Sequence, residues 1–186
     1  MKTCRTALLA LGLTAFAGHA QAQFIVQGKS QAAQCYDHVI SGNNGSRTAI
    51  KTCSEAFKDR LSQRDYAGTY VNRGLLYMRK GDHEKAMADY AAALELKPGL
   101  TQAYVNQAAS LIQQKKLDAA LEALNRALED KESPTRADAL YNRAIILDRK
   151  EDYKGAYYDL KTALAIRPDW ELAQRLISRY DVKLAD

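Results

Sequence analysis

Three sets of side chains in this sequence are capable of chemistry: a cysteine pair with a nearby histidine, an asparagine that returns at a near-constant interval, and arginines and aspartates that recur with it. Cys35 and Cys53 are left as a pair once an N-terminal stretch carrying Cys4 is set aside. In an oxidising compartment an even cysteine number reads as a disulfide. Closing that loop would stabilise the fold by about 3 kcal/mol in the chain-entropy account. The competing reading is a metal or redox site that recruits His38, one helical turn from Cys35. Zinc ordinarily takes a fourth protein ligand or keeps an open catalytic water; no second histidine lies near, and no CxxC pair is present. The bridge is therefore the expectation.

The asparagines are Asn72, Asn106 and Asn142, in the stretches YVNRG, YVNQA and LYNRA. The residue after each is Arg73, Gln107 and Arg143, and a second position, sixteen residues further on, holds Asp89, Ala123 and Asp159. Both charges are present or both are missing. That correlation predicts an ion pair between two helices of one repeat, structural in purpose and replaced in the middle copy by a polar and small combination. The asparagines have no such partner in register. Catalytic sets are harder to find. His83 lies in a turn beside Asp82 and Glu84 and reads as solvated turn chemistry. No Ser-His-Asp or Cys-His set, no Gly-rich phosphate loop and no clustered carboxylates stand out, so no enzyme, cofactor or metal is expected.

The elements that must position these groups follow from an internal repeat. The three stretches start 34 residues apart (Tyr70 to Tyr104) and then 36 apart (Tyr104 to Leu140). Gly74, Ala108 and Ala144 correspond, as do Tyr77, Leu111 and Leu147. Downstream, Ala86, Ala120 and Ala156 align, then Tyr90, Leu124 and Leu160, then Ala93, Ala127 and Ala163. Small residues at the first and third of these sets let two helix backbones approach, so each copy is a helix pair. The polar RKGDH turn with Gly81 separates the helices of one copy, and Pro98 and Pro168 close two copies. The longer spacing is absorbed at Ser133-Pro134, where the closing proline comes late.

This arrangement of small, large, small and proline positions resembles the tetratricopeptide repeat, most clearly from Ala67 to Trp170. The resemblance implies an all-α, right-handed solenoid in which the first helix of each pair lines the concave side. Residues 67–100, 101–136 and 137–170 are the full repeats. Residues 30–66 read as a degenerate first repeat, with Ala49, Cys53 and Ala56 at second-helix spacing and Asn43-Asn44-Gly45 as the turn. Trp170, Ala173, Leu176, Ile177, Tyr180 and Leu184 form an apolar stripe that makes 171–186 a capping helix.

In tetratricopeptide domains a groove asparagine commonly bonds the backbone of an extended peptide, since an amide both donates and accepts. The implied partner-binding residues are Asn72, Asn106 and Asn142, with Val71, Leu75, Met78, Val105, Ile112, Tyr141 and Ile145 as the apolar lining. The alternative is a structural or self-associating solenoid, a homodimer or a chain whose own Phe24-Ile25-Val26 fills the groove. The family's clamp for acidic chaperone tails is not matched. Its positions here are Val71, Leu75, Asn106, Asp138 and Asn142 or, starting one repeat earlier, Gln34, His38, Asn72, Gln102 and Asn106, and only the asparagine agrees in either register.

The N-terminus carries Lys2 and Arg5, a short apolar run from Ala7 to Ala17, and Ala20-Gln21-Ala22, the layout of a cleaved signal peptide over 1–22. The run falls well short of the roughly 20 residues that span a bilayer. Residues 23–29 are a short extension. Removing Lys2 and Arg5 from a net charge of +5 leaves +3, evenly spread, which is no nucleic-acid footprint. The reading is thus an exported bacterial member, periplasmic or secreted, with a protein or peptide partner. When the full chain is made in a secreting bacterium, mass spectrometry of the exported product should give Gln23 as the first residue; an intact Met1 product in the membrane fraction would refute cleavage.

Overall fold

The computed structural model describes residues 30–42 and 45–180. All regular structure among them is helical. The helices are α1 (Gln31–Ile40), α2 (Arg47–Ala56), α3 (Gln63–Lys80), α4 (His83–Leu96), α5 (Thr101–Gln113), α6 (Leu117–Glu129), α7 (Arg136–Arg149), α8 (Tyr153–Ile166) and α9 (Glu171–Ile177). Successive helices pack as antiparallel pairs, and each pair stacks on the next, with α1, α3, α5 and α7 forming one layer. The signal-peptide reading, the Phe24–Val26 segment, Asn43, Asn44 and Leu184 lie outside the described residues.

The local sequence sets the helix ends. Ser30, Ser46, Ser62, Asp82 and Asp152 each accept a hydrogen bond from the backbone N–H three residues on, satisfying a donor that the first turn leaves free. Ser62 starts α3 at Gln63, ahead of the expected repeat boundary at 67. Each turn inside a full repeat passes through a left-handed residue: Gly81 at φ 86°, Lys115 at φ 61° and Glu151 at φ 64°. At Gly81 the backbone N–H groups of Gly81 and Asp82 bond the carbonyls of Met78 and Tyr77, closing the helix in a Schellman-type turn. Only there does the sequence supply the residue with no steric penalty for that conformation.

Small residues make the pairs close. A Cβ added at Gly74 would lie 2.6 Å from the ring of Tyr90 and 3.2 Å from the carbonyl oxygen of Ala86. Gly74, Ala86 and Tyr90 are all buried, so the tyrosine ring fills the space that the glycine vacates. Burial also lifts the Tyr90 hydroxyl well above its ordinary pKa. The two extra residues of the middle repeat sit in the turn between α6 and α7. There Ser133, 6% exposed, shares hydroxyl hydrogen bonds with Thr101 (2.7 Å) and Thr135 (3.0 Å).

At the two ends different devices replace the repeat. Cys35 and Cys53, both fully buried, form a disulfide that joins α1 to α2 with the Cα atoms 4.7 Å apart. No thiolate pair is left for His38 to complete. At the other end Trp170, Leu176, Ile177 and Tyr180 pack around Ala173 against Ala144, Ala156 and Leu160. Regular helix stops at Ile177, inside the expected 171–186 cap, and the chain tightens through i to i+3 backbone bonds to Arg179 and Tyr180.

The expected ion pairs are present and bidentate. Arg73 donates to both carboxylate oxygens of Asp89 (2.8 and 2.6 Å), and Arg143 to both of Asp159 (2.7 and 2.8 Å). Asp89 and Asp159 are only 5% and 7% exposed, so these are largely desolvated pairs. The hydrogen bond to Asp89 raises the pKa of Arg73 further, against the opposing effect of burial. A fork of this kind adds direction to charge. In a double-mutant cycle, Arg73→Ala and Asp89→Ala should couple by about 1.5–3 kcal/mol in urea unfolding, as hydrogen bonds to charged groups do. Coupling near zero would reduce the pair to surface decoration.

Candidate functional site

Asn72, Asn106 and Asn142 occupy equivalent places on α3, α5 and α7, one residue before the arginine position. All three are half-buried. Their side chains make no hydrogen bond among the described residues, and Nδ2 of Asn106 is a buried donor with no partner. A buried donor left unsatisfied costs about 1–3 kcal/mol. The repeat therefore keeps an amide where its own packing has no use for it.

The apolar lining divides in two. Leu75, Ile112, Tyr141 and Ile145 are half-buried on the first-helix layer. Val71, Met78 and Val105 are not groove residues. Val71, 2% exposed, packs with Ala93 and Ala103 between α3, α4 and α5. Val105, 6% exposed, belongs to the core between α5, α6 and α7. Met78 packs with Ala86 and Tyr90, whose hydroxyl donates to its Sδ at 4.0 Å. For Val71 and Val105 the physical reason is stacking, since the next repeat covers a strip that a helical wheel drawn for one repeat leaves open; Met78 is covered by the second helix of its own repeat. Tyr141 is also partly committed, lying 4.6 Å from the Trp170 ring centroid.

Two clefts flank this layer. One, about 440 Å3, lies between α1 and α3, with Tyr36, Arg64, Asp65, Thr69 and Asn72 in its walls. The other, about 450 Å3, lies between α7 and α9, where Tyr141, Ile145 and Leu176 meet the guanidinium groups of Arg149, Arg175 and Arg179. Asp148 is also in that wall, and accepts from the Tyr180 hydroxyl at 2.7 Å. Sequence reading missed Tyr36 and the three arginines. Arg175 and Arg179 come from outside the repeat and Tyr36 from the degenerate copy, whereas Arg149 stands in the third repeat at the place of Arg79 and Gln113. Asp138, at a position where the acidic-tail clamp has a cation, instead receives both Nη groups of Arg167 at 3.1 Å. His83 is not a solvated turn residue. Its Nδ1 lies 2.9 Å from the hydroxyl of buried Ser110, bridging α4 and α5.

Stacked helix pairs with buried clusters between them, and no regular structure but helices among the described residues, define an α-solenoid. Two tetratricopeptide-repeat family models match, over residues 67–100 and 105–169, and together they span more than half of the chain. The chain belongs to the tetratricopeptide repeat family. Among curated proteins it is similar to Ethylene-overproduction protein 1 of Arabidopsis thaliana, 34% identical over 87 residues, 47% of this chain and 9% of that protein. Sperm-associated antigen 1 of Rattus norvegicus is 33% identical over 104 residues, 56% of this chain and 11% of that protein. The chain thus spans about a tenth of the length of these relatives. Among solved structures it resembles YrrB, a tetratricopeptide protein described as having an unusual peptide-binding site, at TM-score 0.60 and 22% identity over 80% of this chain and 73% of that one. MamA gives 0.60 and 20% over 78% and 81%. The first such domain of Spaghetti, bound to an HSP90 peptide, gives 0.58 and 18% over 62% and 90%. At these identities the likeness is one of fold.

The unsatisfied amide allows a stability test. Asn106→Ala should melt at or above the parent's temperature, because it removes a donor whose burial costs about 1–3 kcal/mol. A loss of more than about 1 kcal/mol would show that Asn106 supports the fold.

Proposed function

We propose that this chain is a non-enzymatic interaction scaffold of the cell envelope, which holds an extended segment of a protein or peptide partner along its first-helix layer. Tetratricopeptide proteins generally mediate protein–protein interactions, and a non-catalytic role is typical of the family. The observation that carries the reading here is the row of half-buried asparagines whose side chains make no hydrogen bond among the described residues. An extended backbone supplies a carbonyl and an N–H to each amide in turn. Leu75, Ile112, Tyr141 and Ile145 then cover its apolar side chains. Such a segment makes contact with several repeats at once, so affinity accumulates from modest contacts without a single deep pocket.

Location enters through the N-terminal leader and the cysteine pair. A signal peptide directs the chain out of the cytosol, and a disulfide between Cys35 and Cys53 is at home in an oxidising compartment. No helix among the described residues is long and apolar enough to cross a membrane. The partner is accordingly sought in the envelope. Bound to a resin, the parent should retain an envelope protein that the variant carrying Asn72→Ala, Asn106→Ala and Asn142→Ala releases, with both proteins shown to be folded by circular dichroism. Equal retention by the two would move the contact off the asparagine row.

A further inference from the structure

The two arginines define a seat that the middle repeat leaves vacant. Arg73 on α3 reaches Asp89 on α4 and, at 3.2 Å, the hydroxyl of Ser54 on α2. Arg143 on α7 reaches Asp159 on α8 and, at 3.1 Å, Oδ1 of Asn125 on α6. Each guanidinium thus fills the lateral crease where one repeat's first helix meets its own second helix and the second helix of the repeat before. In the middle repeat that crease is made by α4, α5 and α6, and the residues in register are Gln107, Ala123 and Ala91. A cleft of about 410 Å3 opens there, with Gln107 and Ala123 in its wall.

The walls of this cleft are still suited to a guanidinium. Tyr104 stands where Tyr70 stands beside Arg73, whose Cζ lies 5.7 Å from the Tyr70 ring centroid. An aromatic face attracts a planar cation. Gln107 brings an amide carbonyl as acceptor. Glu122, exposed on the rim, has no ion-pair partner among the described residues, while the rim cation Arg126 is held by Glu129 at 3.3 Å. Glu129 lies in the wall of the adjoining cleft and offsets Arg126, which leaves Glu122 as the uncompensated charge on this rim. Lysine fits less well, because its ammonium lacks the planar fork that stacks and donates in parallel.

We propose that the lateral crease of the middle repeat is a receptor for an arginine side chain presented by a partner polypeptide, seated where Arg73 and Arg143 sit in the flanking repeats. Gln107 is about 100° round α5 from Asn106, so this contact is separate from the asparagine row and does not depend on it. A partner could engage both faces at once.

The test titrates Nα-acetyl-arginine amide into the full chain and follows the Gln107 side-chain amide and the Tyr104 ring by NMR, with the capped citrulline analogue as the uncharged isostere. Saturable shifts at both residues are expected, with citrulline weaker by about fivefold or more. The double variant Gln107→Arg and Ala123→Asp rebuilds the pair that flanking repeats already fold around, and it should abolish the shifts. Glu122→Gln should weaken them, while the triple asparagine-to-alanine variant should leave them unchanged. Absence of a saturable response to the arginine probe, an equal response to citrulline, or shifts that persist in the double variant would overturn the proposal. So would self-association of the parent that the double variant loses, since the occupant would then be a second copy of the chain.

Discussion

A helix pair of this size cannot bury its apolar face by itself, and that constraint governs the rest of the molecule. Val71 packs against α5 of the next repeat as well as its own α4, and Val105 against α7 as well as its own α6. The core is therefore a succession of clusters along the stack and belongs to the interfaces as much as to the repeats. The same constraint demands something special where stacking ends. At one end a disulfide ties the degenerate pair α1 and α2 together around Cys35, Ala49, Cys53 and Leu76. At the other, α9 lays Ala173 and its neighbours over α7 and α8.

Polar groups are distributed according to whether the stack can satisfy them. Arg73 and Arg143 enter creases where a carboxylate and a neutral acceptor await them, so their burial is compensated on both sides. Charge of this kind contributes specificity as well as energy, because the fork fits one orientation of the two helices. The asparagines are the reverse case. All three are half-buried with no hydrogen bond to their side chains among the described residues, and the Nδ2 of Asn106 is enclosed without a partner.

Much of the architecture was legible from residue spacing. Gly74 and Ala86 foretold a close helix crossing, and a Cβ at Gly74 indeed has no room. The joint lapse at Gln107 and Ala123 foretold the Arg73–Asp89 and Arg143–Asp159 pairs, since correlated loss is what a direct contact leaves behind. The lining of the binding face was less legible. Val71, Met78 and Val105 share a strip with exposed residues on an isolated helix, and the packing angle of the neighbouring helices decides how much of that strip is covered. His83 was misjudged for a related reason: its partner Ser110 lies in the next repeat, beyond any local motif.

The sequence alone determined the repeat, the pairing of its helices, the turn residues and the cysteines available for a bridge, because these depend on short-range periodicity and on residue size. Tertiary structure alone decided which side of each helix remains open, that the middle crease is a cleft of about 410 Å3, and that Arg149, Arg175 and Arg179 converge on one wall beside Ile145. Those outcomes depend on the angle and distance at which one repeat meets the next. Such quantities are summed over many weak contacts between distant residues and leave no periodic mark on the chain.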